Sequence, residues 1–174
     1  MSTGILLIIS IKGANHLHPR AKQFMDNITL KYQTIVSASL EEVWEWITSL
    51  KGIRKEMMPY FKMTAPKGIK TINDVKIELG KRLFRSHVYL FGFIPIGHDD
   101  MTLVEYTEGK GFIEESPMSS MELWRHQRDI EKVELGTMIT DTLTFKPRHA
   151  SKLISKFLQR VFRHRHKVLK QELS

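Results

Sequence analysis

The chain has 174 residues, 41% of them hydrophobic and 26% charged, which is typical of one soluble globular domain and excludes a disordered or fibrous chain. Cysteine is absent, so disulfides, thiolate zinc sites and cysteine nucleophiles are excluded as well. The lack of cysteine fits a reducing compartment, and we expect a cytoplasmic location. The net charge of +8 is compatible with nucleic-acid or membrane binding, depending on where the charge lies.

Basic residues are concentrated near the C-terminus. Residues 146–170 contain nine Lys or Arg and no acid, whereas the rest of the chain carries 18 bases and 19 acids. The surplus of positive charge therefore belongs to one segment, and the rest of the protein is nearly neutral. Such a segment is usually the solvated face of a helix, and the alternative is peripheral contact with RNA or an anionic membrane. No stable nucleic-acid partner is expected.

The N-terminal region begins with a short apolar run, ILLIISI, at residues 5–11. This run is far shorter than the roughly 20 residues that span a bilayer. It also lacks the basic flank and cleavage pattern of a signal peptide. We predict that residues 1–24 form an appended or weakly ordered extension and that a single domain covers residues 25–174. The alternative is that the extension adds an edge strand.

The first elements of the domain follow from periodicity. Residues 28–36 alternate as a half-buried strand does. Ser39 and Glu42 form a capping box, S-x-x-E, and predict the start of a helix. A second short helix is predicted over 53–58, and residues 59–74 are predicted to be a loop.

The rest of the chain predicts a β-rich region and one long helix. We expect strands near 75–79, 82–94, 98–106, 110–116, 121–132 and 137–146, with breaks at Gly or Pro. Short turns between them imply antiparallel pairing. Pro147 closes the last strand and can begin the helix at 148–172, whose apolar stripe lies opposite its basic residues. Such a sheet must be covered, and a helix across it leaves a cavity between the two.

Several stretches carry a family resemblance over residues 27–173. They are IVSASLEEVWEWITSL, HVYLFGFIPIGHDDMTLVEY, ELWRHQRDIEKVELGTMITDTLTFKPR and VFRHRHKVLKQEL. The chain resembles the SRPBCC or START-like superfamily (helix-grip, Bet v-type) and its bacterial ligand-binding or polyketide cyclase/dehydrase-like subgroup. The resemblance implies an α+β helix-grip fold, in which a seven-stranded curved antiparallel sheet surrounds a long C-terminal helix, with two short helices after the first strand. It does not fix an activity, because the superfamily hosts both binding proteins and enzymes.

The predicted late hairpin contains the densest group of polar residues. Alternation places Trp124, His126 and Arg128 on one face of a strand. If the turn is centred on residues 134–135, Arg128 lies opposite Asp141. One hypothesis is that these side chains line the cavity and hold the polar end of a ligand. The alternative is an exposed cross-strand ion pair, which contributes only about 0.2–1 kcal/mol.

Apolar candidates for the ligand-binding wall come from three regions. Met and aromatic residues after the first helices lie near a cavity entrance in the resembled family, and Met suits walls that accept variable ligands. A middle strand and the closing helix supply the others. Ordinary core packing is the alternative for the Met and aromatic group, and alternation leaves open which face of the middle strand points inward. The candidates are Met57, Tyr60, Phe61, Tyr89, Phe157 and Val161.

Metal and nucleophile motifs are weak or missing. The pairs His16-x-His18 and His164-x-His166 match no metal-ligand spacing, and the second pair falls on different faces of a helix. There is no phosphate-binding glycine loop and no nucleophile motif. We therefore expect no metal and no cofactor.

The acidic residues of the middle strands predict no site of their own. Asp99 and Asp100 are interpreted as turn residues, and Glu105, Glu114 and Glu115 have no partner at a hydrolase spacing.

The predicted function is binding, and carriage, of a hydrophobic or amphipathic small molecule. The first alternative is a cyclase/aromatase- or dehydratase-type enzyme with His126 as its acid–base residue. The second is docking of the basic helix to RNA or an anionic membrane.

Overall fold

A computed structural model describes residues 27–174, so the predicted extension at residues 1–24, with His16 and His18, lies outside the described residues. The described part contains seven strands, three helices and a short 3-10 turn at Ile72–Asp74. In chain order they are β1 (Ile28–Val36), α1 (Leu40–Thr48), α2 (Leu50–Met57), β2 (Phe61–Met63), β3 (Arg82–Leu90), β4 (Ile94–Thr107), β5 (Gly111–Glu115), β6 (Met121–Val133), β7 (Gly136–Pro147) and α3 (Ser151–Glu172).

The strands form one curled antiparallel sheet in the order β1-β7-β6-β5-β4-β3-β2. α3 crosses its concave face and contacts β1, β7 and α2. This architecture confirms the predicted α+β class, the seven-stranded sheet and the long C-terminal helix with two short helices after the first strand. The capping box of Ser39 and Glu42 is also confirmed, with both reciprocal hydrogen bonds present at the start of α1.

One of the seven strands was predicted in the wrong place. Residues 75–79 are not part of the sheet, and the missing strand is β2, inside the predicted loop at 59–74. Thr71 and Asp74 form a second capping box, which starts the 3-10 turn just before these residues. Leu79 is 55% exposed, so the alternation there marks no buried face. β2 has three residues, too few to show a period of two.

The remaining corrections concern boundaries. β3 ends at Leu90 and β4 begins at Ile94, so the predicted break at 95–97 lies inside β4. Pro95 is tolerated there because the pairing with β3 is irregular at that point. Pro147 ends β7 and does not begin the helix, which starts at Ser151. α2 starts at Leu50 because the Ser49 hydroxyl accepts a hydrogen bond from the Gly52 amide.

The β6–β7 hairpin has the predicted register. Its two-residue turn is at 134–135, Arg128 pairs with Asp141, and His126 pairs with Leu143. Two apolar clusters fill the space between the sheet and the helices. The first joins Tyr32 to α3, and the second packs α1 on the end of the hairpin. Their buried members are Leu30, Tyr32, Met121, Leu143, Phe145, Leu158, Val161 and Phe162 in the first, and Val36, Val43, Trp44, Ile47, Ile130, Ile139 and Leu169 in the second.

Candidate functional site

An apolar cavity of about 290 Å³ lies between the sheet and the first half of α3. Strand alternation explains its wall, because Val88 and Leu90 on β3 pair with Met63 and Phe61 on β2, and all four face inward. The opposite wall is formed by α3. The lining residues are Met57, Phe61, Met63, Val88, Leu90, Ile96, Gly97, His98, Met118, Ser120, Met121, Trp124, Ile154, Phe157 and Leu158.

The structure divides the predicted apolar candidates into two groups. Met57, Phe61 and Phe157 border the cavity, as does Trp124 from the late hairpin. The other three do not line it. Tyr89 lies on the opposite face of β3 from Val88 and Leu90, Tyr60 packs edge-on against Phe157 and His164, and Val161 is buried in the core cluster with Tyr32.

A smaller chamber of about 70 Å³ lies deeper between the sheet and α2. We call it the inner chamber. It shares Met57, Met63, Met118 and Trp124 with the apolar cavity, so the two spaces adjoin. Its wall differs by carrying carboxylate and guanidinium side chains as well as an imidazole, each nearly or fully buried. These are Asp99, Glu114, His126, Arg128 and Arg165.

Arg128 forms a buried ion pair with Asp141. Its Nε and Nη2 atoms lie 2.6 Å from the two carboxylate oxygens of Asp141, and the residues are 1% and 0% exposed. The alternative of an exposed cross-strand pair is therefore wrong. Arg128 also donates to Glu56 on α2, at 3.2 Å from Nη1 and 2.9 Å from Nη2. One guanidinium thus joins the β6–β7 hairpin to α2.

Two further bases complete this cluster from α3. Arg165 Nε lies 3.1 Å from Glu56 Oε2, and His166 Nε2 lies 3.1 Å from Asp141 Oδ2. Arg165 was expected on the solvated basic face, but it is 6% exposed and stacks over the Phe162 ring. Because two guanidinium groups face two carboxylates, their formal charges balance. We call Glu56, Arg128, Asp141, Arg165 and His166 the ion cluster.

Opposing influences act on the pKa values of these groups. Burial alone would raise the pKa of Glu56 and of Asp141. Arg128, together with Arg165 at Glu56 and His126 at Asp141, outweighs burial and holds both pKa values below their usual range. Burial alone would lower the pKa of Arg128, but Asp141 and Glu56 raise it. All three groups are therefore charged at neutral pH.

His126 lies between the ion cluster and the inner chamber. Its Nε2 is 3.0 Å from Asp141 Oδ1, and its Nδ1 is 3.8 Å from Glu114 Oε2. Phe112 and Phe162 each pack edge-on against its ring. The imidazole is thus held in place by two aromatic rings and at one nitrogen.

Asp99 is one of the site residues that the sequence interpretation missed. It lies within β4, not in a turn, and is 1% exposed. Burial and the nearby Glu114 raise its pKa to about 8. Glu114 itself accepts a hydrogen bond of 2.7 Å from the Ser116 hydroxyl. The signal that identifies Asp99 is alternation with Met101 and Leu103, which also border the inner chamber.

Within residues 27–174, no group of three or more His, Cys, Asp or Glu side chains is arranged to hold a metal ion. His164 and His166 point to different partners, the Met58 carbonyl and Asp141. Within the same range, no helix has the length and apolar character needed to cross a bilayer.

Solved structures share this architecture at low sequence identity. Protein CV1439 from Chromobacterium violaceum matches with a TM-score of 0.64 and 11% identity, over 83% of this chain and 96% of its own. Ara h 8.0201 matches with a TM-score of 0.57 and 8% identity, over 84% and 97%. The Aha1 dimer from Colwellia psychrerythraea matches with 0.56 and 15%, over 83% and 95%. The protein therefore has the helix-grip, or Bet v 1-like, fold.

Sequence comparison assigns the chain to a family. A family model covers residues 34–173, and the chain belongs to that family, the Domain of unknown function (DUF8410). No curated protein matches the chain.

Proposed function

We propose that the protein binds, and carries, a hydrophobic or amphipathic small molecule in the apolar cavity. The supporting observation is the cavity itself, about 290 Å³ between sheet and helix, with a wall made almost entirely of apolar side chains. Protein interiors are otherwise close-packed, and voids larger than a water molecule are few. Pockets of this size and lining are typical of small-molecule sites.

The composition of the wall favours a ligand of variable shape. Four of the lining residues are methionines, Met57, Met63, Met118 and Met121. Methionine side chains are unbranched and flexible, so they can adjust to different apolar partners. Aromatic rings of Phe61, Phe157 and Trp124 supply flat surfaces on the other sides. A lipid, isoprenoid, quinone or polyketide would be compatible with this wall.

The test is binding of the neutral fluorescent probe N-phenyl-1-naphthylamine to the purified protein. Val88→Phe places a larger ring in the cavity, and we expect it to weaken probe binding at least about tenfold. The matched control is His87→Phe, the same new side chain on the exposed outer face of β3, which should bind as the wild type does. Equal binding by Val88→Phe and the wild type, or no binding by the wild type, would contradict the proposal.

A second candidate function is docking of the cavity mouth on an anionic membrane. The tip between β3 and β4 exposes Phe91, Phe93 and Ile94 at 49%, 72% and 41%. Phe91 packs edge-on against Phe157, which borders the cavity, and Leu153 nearby on α3 is 70% exposed. Exposed apolar side chains beside a basic helix are typical of membrane-surface binding. The exposed bases on this part of α3 are Lys152, Lys156 and Arg160.

The docking candidate is tested by co-sedimentation with phosphatidylglycerol and phosphatidylcholine vesicles. We expect binding to the anionic vesicles, weakened by Phe93→Ser and by high salt. Leu135→Ser is the matched control, because Leu135 is 76% exposed at the β6–β7 turn, far along β6 from the cavity. Equal loss in both variants, or binding to oligoribonucleotides in place of vesicles, would contradict membrane docking.

Binding is favoured over catalysis as the function of this site. The enzyme alternative needs His126 beside the ligand, but His126 is 3% exposed and borders the inner chamber, not the apolar cavity. His126→Ala abolishing turnover of poly-β-keto substrates would support the enzyme instead.

A further inference from the structure

We infer that the inner chamber selects a ligand that ends in a neutral hydroxyl group, an alcohol or phenol, which bonds to Trp124 and Asp99. This inference rests on the proposed function, because it names the class of ligand for the same cavity. The ligand's apolar body would occupy the larger space and its hydroxyl the smaller one. The two spaces adjoin at Trp124, which borders both.

Two polar atoms at the chamber have no hydrogen-bond partner among the described residues. They are Trp124 Nε1 and Asp99 Oδ1, and both are buried. Buried polar groups are nearly always hydrogen-bonded, so each such group calls for an explanation. Two more buried atoms share this state, Trp44 Nε1 and His166 Nδ1, but neither residue borders the chamber. Trp124 and Asp99 both border the chamber, so two side chains of its wall carry one unused donor and one unused acceptor.

The chemistry of these two atoms defines the group that satisfies both. An indole N–H can only donate, so Trp124 requires an acceptor. Asp99 accepts through both oxygens when it is ionised. At pH 6.5 its raised pKa of about 8 keeps it protonated, with one O–H donor and one carbonyl acceptor, and Oδ1 as the carbonyl requires a donor. A hydroxyl accepts one hydrogen bond and donates another, so it meets both needs. An ether or ketone offers no donor, and an ammonium offers no acceptor.

Charge in the chamber favours a neutral group. Arg128 and Arg165 are bound to the carboxylates of the ion cluster, so their charge is already matched. The remaining acids on the chamber wall are Asp99 and Glu114. A carboxylate or phosphate head would meet these two acids and lose its hydration. The raised pKa of Asp99, about 8, reflects the same resistance to added negative charge.

The test is displacement of N-phenyl-1-naphthylamine at pH 6.5 by three ligands with the same alkyl chain: 1-decanol, decyl methyl ether and decanoate. We expect decanol to bind about fivefold to tenfold more tightly than the other two. Trp124→Phe should remove this preference, measured as the ratio of the decanol and ether affinities, because loss of wall contacts at Trp124 weakens both ligands alike. Trp44→Phe is the matched control, because it deletes a buried indole N–H away from the chamber, and it should keep the preference.

Variants of Asp99 provide a second measurement. Asp99→Asn keeps an acceptor and should keep the preference for decanol, whereas Asp99→Leu should lose it. If all three ligands displace the probe equally, the hydroxyl inference is wrong while the proposed function stands. If the probe does not bind the wild type at all, the proposed function itself is wrong. A preference that survives both Trp124→Phe and Asp99→Leu would also overturn the inference.

Discussion

The two ends of the space between sheet and α3 are built in opposite ways. At the closed end, Tyr32, Val161 and Phe162 pack tightly, and the ion cluster joins α2, β6, β7 and α3. At the open end, the first half of α3 faces β2, β3 and β4 across the apolar cavity. The difference indicates that α3 is fixed mainly at its second half. A cavity can persist under the first half because the helix does not need contacts there to stay in place.

The ion cluster gives the largest expected effect. Arg128→Met leaves Asp141 and Glu56 buried without their main partner, so we expect a loss of about 3–5 kcal/mol in the free energy of unfolding. Urea denaturation at pH 7 measures it. The control is Arg85→Met, which removes an exposed cross-strand pair of similar geometry with Asp100 and should cost only a small fraction of that loss. Similar losses of stability in both variants would contradict the predicted difference between the buried ion cluster and an exposed ion pair.

The same substitution at the closed and open ends of the space between sheet and α3 should have unequal effects. Phe162→Ala removes a ring that is 1% exposed at the closed end and should cost about 3–5 kcal/mol. Phe157→Ala removes a ring that borders the cavity and is only half-buried, so its cost should be well below that. Thermal or urea unfolding of both variants provides the measurement. Equal costs would indicate that the open end is as closely packed as the other.

The inner chamber predicts a dependence of stability on pH. The pKa of Asp99 is raised to about 8 in the folded protein from an ordinary value of 3.8, so the folded state binds more protons between these values. The free energy of unfolding therefore falls as pH rises through this range, by up to about 1.4 kcal/mol per pH unit for this group. From pH 5 to 7 the loss would reach about 3 kcal/mol. Asp99→Asn should remove this contribution to the pH dependence of the free energy of unfolding. An unchanged pH dependence would contradict the raised pKa of Asp99.

The sequence predicts local features of this fold well and distant contacts poorly. The pairing of Arg128 with Asp141 follows from one turn position and strand alternation, which are local rules. Glu56 could not be predicted as their partner, because it comes from α2 and is 72 residues from Arg128. Contacts of that kind depend on how helices pack across the sheet. The burial of Asp99 was missed because neighbouring turn-forming residues hid its place in the alternation.

Replacing a valine by phenylalanine at the closed end and at the open end gives the smallest expected effects on stability. The two variants should nevertheless differ clearly from each other. Val161 is 1% exposed in the closed end, so Val161→Phe must displace its neighbours and should cost about 1–3 kcal/mol. Val88→Phe instead directs its ring into existing space, and we expect a change below about 1 kcal/mol. Urea unfolding of the two variants measures the difference. Because Val88→Phe should also weaken probe binding, a stable variant that no longer binds would separate the cavity from the packing that supports it. A large loss of stability in Val88→Phe would mean that the open end tolerates added volume no better than the closed one.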